Sequence, residues 1–269
     1  MPELPDVEIF KRRLDQHGLK RRMAKVTVSD NRILAGLPVA RLREALEGRR
    51  FESTRRHGKH LLARLDQNGW VSFHFGMTGE LLPFEAEEAE PRYTRVRLDF
   101  ADGGHLAYVN RRMLGHVGLT DDAKAFIARE KLGPDALDPD LDAEAFAAAL
   151  GSARRTLKAA LMDQSAVAGI GNIYADEILF QAKLHPETKL GSLTDGDRKR
   201  LFEETRRVLQ TAIDHGAGSE LLPERLPAGF IIPQRRKGGR CPRCGTAIES
   251  FKAGGRTAYL CPNCQRPKS

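Results

Sequence analysis

The sequence of 269 residues has no cysteine among its first 240 positions, because all four cysteines lie between residues 241 and 264. This clustering disfavours a disulfide framework spread over the fold and favours a metal site in a reducing compartment. The sequence also has no run of about 18 apolar residues and no signal-like apolar core at its start. These absences predict a soluble cytoplasmic protein with no membrane segment.

Internal repeats and long low-complexity segments are absent too, and the charge of the chain is unbalanced. Lysine and arginine total 44 against 36 aspartates and glutamates, which gives a net charge of +8. This excess favours a polyanionic partner, with nucleic acid ahead of an anionic membrane surface. The length suits one large domain or two modest ones, each able to bury a core.

Hydrophobic periodicity divides the chain into two halves of different character. Segments of the first half alternate apolar and polar residues between turn signals such as Gln67-Asn68-Gly69, which predicts an antiparallel β-sandwich. The predicted strands are residues 25–29, 60–65, 70–75, 94–100 and 105–109. Apolar residues recur at helical spacing near the start and again after residue 121. The predicted helices are residues 6–19, 124–131, 142–150, 153–163, 173–181 and 195–215, the last with Thr194 as its N-cap and Gly216 as its stop.

These patterns predict an α+β protein with three domains. Residues 1–132 form a β-rich N-terminal domain, and residues 133–232 form a helical domain that is entered through a linker at 133–140. Residues 233–269 form a basic C-terminal subdomain that contains the four cysteines.

The cysteines form two CxxC pairs, Cys241 with Cys244 and Cys261 with Cys264, separated by sixteen residues. Two such pairs place four thiolates around Zn²⁺, and residues 246–250 and 256–260 between them can form a β-hairpin. Four protein ligands leave no open position, so we predict a structural zinc; unpaired thiols or an iron site are the alternatives.

The zinc ribbon is rich in positive charge, which predicts either a phosphate-binding surface or a solvated tail. Its basic residues are Arg235, Arg236, Lys237, Arg240, Arg243, Lys252, Arg256, Arg266 and Lys268, against a single acidic residue, Glu249.

The start of the chain, Met1-Pro2-Glu3-Leu4-Pro5, combines a candidate nucleophile with a carboxylate. Removal of Met1 would make Pro2 a terminal secondary amine, and an α-amino group has a reference pKa near 7.7–8.0. Such an amine can attack an electrophilic carbon and form an iminium, with Glu3 as the acid or base. The alternative is that the two prolines only set the entry to a helix.

Two further features are weak by themselves. The turn Gly169-Ile-Gly171-Asn172 joins two predicted helices and can aim backbone N–H groups at a phosphate, although glycines are common in such connections. Lys59 lies in a short basic patch before a strand, where a solvated surface cation is the ordinary interpretation.

Together these motifs resemble the formamidopyrimidine-DNA glycosylase and endonuclease VIII family of DNA repair enzymes, over essentially the whole chain. The likeness is closer to the formamidopyrimidine branch. It is carried by Pro2-Glu3-Leu4-Pro5, Lys59, His74-Phe-Gly-Met77-Thr-Gly79, Asn110-Arg111-Arg112, Leu161-Met162-Asp163-Gln164, Gly169-Ile-Gly171-Asn172-Ile-Tyr174-Ala-Asp-Glu177 and the zinc ribbon with Gly255-Arg256-Thr257.

The resemblance implies a bifunctional DNA glycosylase and AP lyase that removes oxidised bases in base excision repair. It implies a helix-two-turn-helix domain, one structural zinc per chain, and damaged double-stranded DNA as the partner of a monomer, associated with the nucleoid in a bacterium. Pro2 would attack C1′ and form a Schiff base that leads to β,δ-elimination. Glu3 would assist ring opening and proton transfer, and Lys59 would orient the phosphates of the lesion.

The same resemblance assigns residues that bind DNA. His74, Asn172 and Arg256 would hold the backbone. Met77 and Arg111 would fill the space that the extruded base leaves, because a base must leave the stack before its C1′ can be reached.

Three departures from the family pattern put the choice of substrate in question. Asp6 stands where the family usually has glutamate, and Met113-Leu114 stand where an aromatic wedge is expected, with one residue inserted. The segment from Gly216 to Cys241 is shorter than the family version, which includes a loop that caps the lesion.

Two other functions compete with this prediction. A lesion-binding protein of the same architecture with reduced catalysis has no need of Pro2, Glu3 and Lys59 together. A zinc-ribbon transcription or RNA-processing factor accounts only for the C-terminal subdomain.

Overall fold

A computed structural model describes residues 1–219, 221–253 and 255–267. The chain divides into two compact units. One contains residues 1–2 and 7–130, and the other contains Glu3–Asp6 and the described part of 131–269. In the described residues, no helix has both the length and the apolar character needed to cross a membrane.

The first unit is a β-sandwich of two antiparallel four-stranded sheets. One sheet has the order β1-β6-β7-β5 and the other has the order β2-β3-β4-β8. The strands are β1 (Met23–Val28), β2 (Phe51–His57), β3 (His60–Leu65), β4 (Trp70–His74), β5 (Gly79–Phe84), β6 (Thr94–Phe100), β7 (His105–Asn110) and β8 (His116–Thr120). Val96, Leu98 and Phe100 alternate with more exposed residues along β6, so one face of the strand points into the core.

Three helices accompany the sheets: α1 (Leu4–His17), α2 (Val39–Leu46) and α3 (Ala123–Arg129). The five predicted strands correspond to β1, β3, β4, β6 and β7, with ends shifted by two residues at most. The β-sandwich is thus confirmed, whereas β2, β5, β8 and α2 were not predicted.

The second unit is helical and contains α4 (Ala143–Leu150), α5 (Leu157–Met162), α6 (Asn172–Gln181) and α7 (Asp195–Asp214). Thr194 caps α7 as predicted, since its side chain and that of Asp197 exchange hydrogen bonds with the backbone in a capping box. Gly216 follows the helix with a φ of +60°. The apolar side chains of these helices form one buried core.

One predicted boundary in this unit was wrong. Helix α5 begins at Leu157 and not at residue 153, because Thr156 pairs with Lys189 as an isolated bridge. The predicted linker, residues 133–140, is packed against the unit: the N–H of Ala136 donates to the carbonyl oxygen of Ala168 at 3.0 Å, and Ala136 is buried.

The C-terminal segment contains a hairpin of β9 (Glu249–Ala253) and β10 (Arg256–Leu260). The second strand was predicted correctly, but the first lies three residues later than expected. Thr246 belongs to the turn that carries the first cysteine pair, since its carbonyl oxygen accepts from the N–H of Cys241 at 2.9 Å. Lys268, counted above among the basic residues, lies outside the described residues.

Candidate functional site

The carboxylate of Glu3 lies against the N-terminus of α6. Oε2 accepts hydrogen bonds from the N–H groups of Gly171 at 2.8 Å and Tyr174 at 3.0 Å, and Oε1 accepts from that of Ile173 at 2.8 Å. The first N–H groups of a helix have no partner within the helix and carry positive partial charge, so they form an anion-binding site. The side chain of Glu3 is therefore fixed, and with it the peptide that joins it to Pro2.

Two glycines leave the space that this arrangement needs. A Cβ atom on Gly171 would overlap the Glu3 carboxyl group, and one on Gly218 would overlap the carboxyl group of Asp6. The backbone of Leu4 adds a further link, because its N–H donates to the carbonyl oxygen of Gly169 at 3.0 Å. Residues 3–6 are thus seated on their unit by backbone hydrogen bonds and close packing.

Asp6 is bonded inward and almost completely buried. Its Oδ2 accepts from the N–H of Glu3 at 2.8 Å, as the third residue of a helix does in a capping box. Both of its carboxylate oxygens also lie 3.0 Å from the N–H of Ser219. Burial raises the pKa of Asp6 to about 6, against the opposing effect of these hydrogen bonds. The shorter carboxylate at this position thus connects the start of α1 to residue 219.

The turn between α5 and α6 is held by the side chain of Gln164. Its amide nitrogen donates to the carbonyl oxygens of Met162 and Ile170 at 2.9 and 2.7 Å, and its oxygen accepts from the N–H of Gly169 at 3.0 Å. Asn172, the first residue of α6, is partly buried, and its Oδ1 has no hydrogen-bond partner within the described residues. The turn thus brings the predicted residues Glu3 and Asn172 to the same helix end.

In the first unit, Lys59 lies in the two-residue turn Gly58-Lys59 that joins β2 to β3. Gly58 has a φ of +55°, which suits the first position of a tight hairpin turn. His74 ends β4, and its carbonyl oxygen accepts from the Tyr108 hydroxyl at 2.7 Å. Burial is the main cause that lowers the pKa of His74 to about 4, followed by the neighbouring charges of His116 and Lys59. Lys59 and His74 therefore lie within electrostatic range of each other.

Met77 and Arg111 lie on neighbouring loops of the same unit. The N–H of Arg112 donates to the hydroxyl of Thr78 at 3.1 Å, which connects the two loops. Arg111 is exposed and Met77 is half-buried. Leu114 has 52% of its surface exposed, so it is the residue of this loop that presents an apolar side chain to solvent.

The four cysteines lie together as the two CxxC pairs predict. Their sulfur atoms are all within 4.8 Å of one another, with individual separations of 3.5, 3.6 and 3.9 Å. Four sulfurs placed tetrahedrally at about 2.3 Å from zinc are roughly 3.8 Å apart. The donor set therefore fits one structural Zn²⁺ held by Cys241, Cys244, Cys261 and Cys264, which supplies folding energy to the ribbon and leaves no open position.

A buried ionic cluster joins α6 to the zinc hairpin. Asp176 is paired with Lys158, and its Oδ2 also accepts from Arg235 at 2.8 Å and from the N–H of Tyr259 at 3.2 Å. Lys158 donates to the carbonyl oxygen of Thr257 at 3.3 Å. Burial raises the pKa of Asp176 and lowers that of Lys158. Arg256 is exposed at the start of β10, the strand that this cluster holds.

Three family models match successive parts of the chain. They are the Formamidopyrimidine-DNA glycosylase N-terminal domain over residues 1–117, the Formamidopyrimidine-DNA glycosylase H2TH domain over residues 132–222, and the zinc finger found in FPG and IleRS over residues 238–267. The formamidopyrimidine-DNA glycosylase of Streptococcus pyogenes serotype M3 is 36% identical over 277 residues, covering all of both chains. The chain belongs to the formamidopyrimidine-DNA glycosylase family.

Other members of the family agree with this assignment. The formamidopyrimidine-DNA glycosylase of Synechocystis is 36% identical over 282 residues, covering 98% of each chain. Among solved structures, a complex of Lactococcus lactis Fpg with DNA containing N7-benzyl-Fapy-dG matches with a TM-score of 0.88 at 28% identity, over 98% of this chain and all of that one. A second Lactococcus lactis complex, with DNA containing an AP site, matches with a TM-score of 0.87 at 28% identity over 98% of this chain and 99% of that one.

The structure shows residues that support these motifs and that the sequence patterns did not single out. Gln164 and Asp176 lie inside motifs that carried the resemblance, but their contacts are with atoms distant in sequence. No sequence pattern indicated that Lys158 is buried, because a lysine on a helix is ordinarily solvated. A buried lysine becomes recognisable only when its partner Asp176 is seen beside it.

Proposed function

We propose that this chain is a bifunctional DNA glycosylase and AP lyase that removes oxidised or ring-opened bases from double-stranded DNA. The observation that carries the proposal is the Glu3 carboxylate fixed by three backbone N–H groups next to Pro2. A protein that only binds lesions needs no such fixed carboxylate beside a potential amine nucleophile.

Catalysis begins with the amine of Pro2 once Met1 has been removed. Its nitrogen lone pair attacks C1′, the bond from C1′ to the base breaks, and the base leaves with that electron pair and takes up a proton. Ring opening then gives an iminium between the Pro2 nitrogen and C1′. Loss of a C2′ proton breaks the C3′–O bond, a second elimination breaks the C5′–O bond, and water releases the amine.

Glu3 supports this sequence as an acid or base for ring opening and proton transfer. Because both of its oxygens accept from the backbone of α6, it is preorganised and loses little side-chain entropy when DNA binds. Lys59 supplies a positive charge for the phosphates of the lesion.

Five residues hold the DNA. His74, Asn172 and Arg256 contact the backbone, while Met77 and Arg111 fill the space of the extruded base. The exposed guanidinium group of Arg256 supports its role. The three proposed domains of this enzyme are residues 1–132, residues 133–232 and residues 233–269. The enzyme acts as a monomer, at the nucleoid if its host is a bacterium.

Borohydride trapping on DNA with an abasic site tests the proposal. The reagent reduces the iminium, so an active enzyme becomes covalently bound to DNA. We expect Pro2→Gly to lower the trapping rate by at least about a hundredfold, of the order of a lost catalytic group. Glu3→Gln should impair base excision more than cleavage at a ready-made abasic site. The matched control is Pro139→Gly, which changes an exposed proline on a loop.

Intact mass measured before the assay establishes whether Met1 has been removed. If processed Pro2→Gly protein traps and cleaves at the wild-type rate, the nucleophile is another amine, and Lys59 is the first to examine. If processed wild-type protein binds lesion DNA but never traps, the lesion-binding alternative is correct.

A further inference from the structure

Four of the eight histidines form a row across one sheet of the first unit. The register pairs His57 with His60, His60 with His74, and His74 with His116, on strands β2, β3, β4 and β8. Residues directly opposite each other on antiparallel strands point to the same face of the sheet. The ring centroids of His60 and His74 are 4.8 Å apart, and those of His74 and His116 are 5.2 Å apart with the rings stacked.

The histidine row is most deeply buried at His57 and His60, the two residues that flank the turn. His60 is 8% exposed and packs edge-on against Phe126, at 5.3 Å between centroids. The groups that act electrostatically on the row are Lys59 and the histidines themselves, with Glu130 acting on His116. Burial is the main cause that lowers the pKa of His60 to about 3 and that of His74 to about 4, and it also lowers the pKa of His116. At neutral pH all three rings are therefore uncharged.

We propose that His60 and His116 are positioning residues that keep the His74 ring neutral and fixed, so that it meets a DNA phosphate as an uncharged hydrogen-bond donor. The inference rests on the proposed phosphate contact of His74. The His74 ring is stacked on that of His116 and tilted by 34° against that of His60, so it cannot turn without losing these contacts. Lys59 then supplies a positive charge at this point of the backbone, and His74 contributes no change of DNA affinity over the range in which an ordinary histidine titrates.

The test begins with the free protein, by NMR titration of the histidine rings. In the wild type, His74 should remain neutral down to about pH 5, because a ring is largely unprotonated one unit above its pKa. His116→Ala should admit solvent and raise the pKa of His74 towards the ordinary value. His116→Phe retains a ring in the stack and should keep the pKa of His74 near that of the wild type. The control is His105→Ala, a partly buried strand histidine of the other sheet that is bonded to Asp99.

The second measurement is the dissociation constant for a duplex with a reduced abasic site, between pH 5.5 and 8.5. Wild type, His116→Phe and His105→Ala should share one profile of affinity against pH. His116→Ala should bind more tightly at pH 5.5, by about tenfold for each unit by which the phosphate raises the pKa of His74. At pH 5.5 the slope of the logarithm of its binding constant against the logarithm of salt concentration should be steeper by about one unit, as expected for one added cationic phosphate contact.

The outcomes separate the two proposals. If His74 titrates at an ordinary pKa in the free wild-type protein, or if His116→Ala leaves its pKa unchanged, the positioning role is wrong whatever the DNA affinity. If the NMR results are as expected but His74→Ala binds DNA as tightly as the wild type, the proposed phosphate contact fails, and the inference fails with it.

Discussion

Gly171 has no side chain, and this absence lets the Glu3 carboxylate approach the first turn of α6. The N–H of Gly171 is itself one of the three donors, at 2.8 Å, and a methyl group at its Cα would occupy the position of the carboxyl group. Its φ is −123°, so backbone conformation does not require glycine here. Steric access alone selects glycine at this position.

We therefore expect Gly171→Ala to displace Glu3 and to lower base excision by roughly 10²-fold, the scale expected for a misplaced catalytic group. Single-turnover excision rates measure the effect, and zinc content reports whether the ribbon is intact. Gly229→Ala is the control, because a Cβ atom there meets open space. Equal excision rates in the two variants would show that Glu3 acts without its hydrogen bonds to the N-terminus of α6.

Glu177 provides a test of pH dependence at a single residue. It is fully buried, its Oε2 accepts from the N–H of Ile232 at 2.9 Å, and burial raises its pKa from 4.5 to about 7. A raised pKa in the folded state means that the protonated acid is favoured by folding. Its stabilising contribution is therefore complete below about pH 4.5 and is lost as the pH rises through 7.

We expect Glu177→Gln to remove this dependence. Relative to the wild type, the free energy of unfolding of the variant should improve by about 3 kcal/mol between pH 4.5 and pH 8.5, as a shift of this size implies. Urea unfolding at the two pH values measures it. Glu203→Gln, on the exposed face of α7, should show no such change. A constant difference between wild type and Glu177→Gln at both pH values would mean that Glu177 has an ordinary pKa.

At the scale of elements, the zinc hairpin is held at both ends. The metal site fixes the two cysteine pairs, and Asp176 fixes β10 through the N–H of Tyr259. Arg235 also stacks on the ring of Tyr259, with 4.6 Å between the guanidinium carbon and the ring centroid. A small ribbon without much core of its own depends on such attachments.

Arg256→Ala should weaken DNA binding and make its salt dependence shallower by about one unit, as expected for one lost phosphate contact. Removal of zinc by a chelator should weaken binding further, because it releases the whole hairpin. Lys199→Ala, an exposed cation on α7, is the control. Binding isotherms at several salt concentrations measure how DNA affinity depends on salt. An unchanged salt dependence for Arg256→Ala would show that this residue does not contact DNA.

The three strands that the sequence did not predict lie at sheet edges and have weak apolar patterns. Strand β5 lies at a sheet edge and contains Pro83, which an edge tolerates but which weakens a strand pattern. Strand β8 is another edge strand, only five residues long, with Gly118 in its middle. Strand β2 buries only Phe51 and His57 at its two ends, so it lacks apolar alternation. Strands in the middle of the sheets have fuller apolar patterns and were predicted.

The candidate site was predictable to the extent that its residues lie in local motifs. The four cysteines needed only their spacing, and Pro2 and Glu3 needed only their order in the chain. The donors to Glu3 could not be found in this way, because Gly171 and Tyr174 lie 168 and 171 positions further along the chain. Periodicity and turn signals describe neighbours in sequence, whereas these contacts exist only after folding.

At the scale of the whole molecule, the choice of lesion depends on the loops around the extruded base. Leu114, 52% exposed, stands in the loop where the family resemblance leads us to expect an aromatic wedge. An aliphatic side chain forfeits part of the stacking energy, which is roughly 1–3 kcal/mol per base for an aromatic. By the same resemblance the segment before the zinc ribbon is short, so we expect an extruded purine to be less enclosed.

We therefore predict strong cleavage at abasic sites, with less preference for 8-oxoguanine opposite cytosine than the formamidopyrimidine enzymes show. Ring-opened purines or oxidised pyrimidines should be better substrates. Duplexes that carry each lesion opposite each base, assayed under single-turnover conditions, provide the comparison. Leu114→Phe should restore part of the preference for 8-oxoguanine. A clear wild-type preference for 8-oxoguanine opposite cytosine would refute the argument from Leu114 and the short segment.

Residues 3–6 form their contacts with parts of the chain that are synthesised much later. The ribosome releases these residues first, but their partners at Gly171 and Ser219 emerge 168 and 213 residues later. Such distant pairings form late, whereas the β-sandwich can begin to fold as it leaves the exit tunnel. A nascent chain interrupted before residue 171 has no donors for Glu3. Incomplete translation products of this kind therefore lack the fixed Glu3 carboxylate on which the proposed chemistry depends.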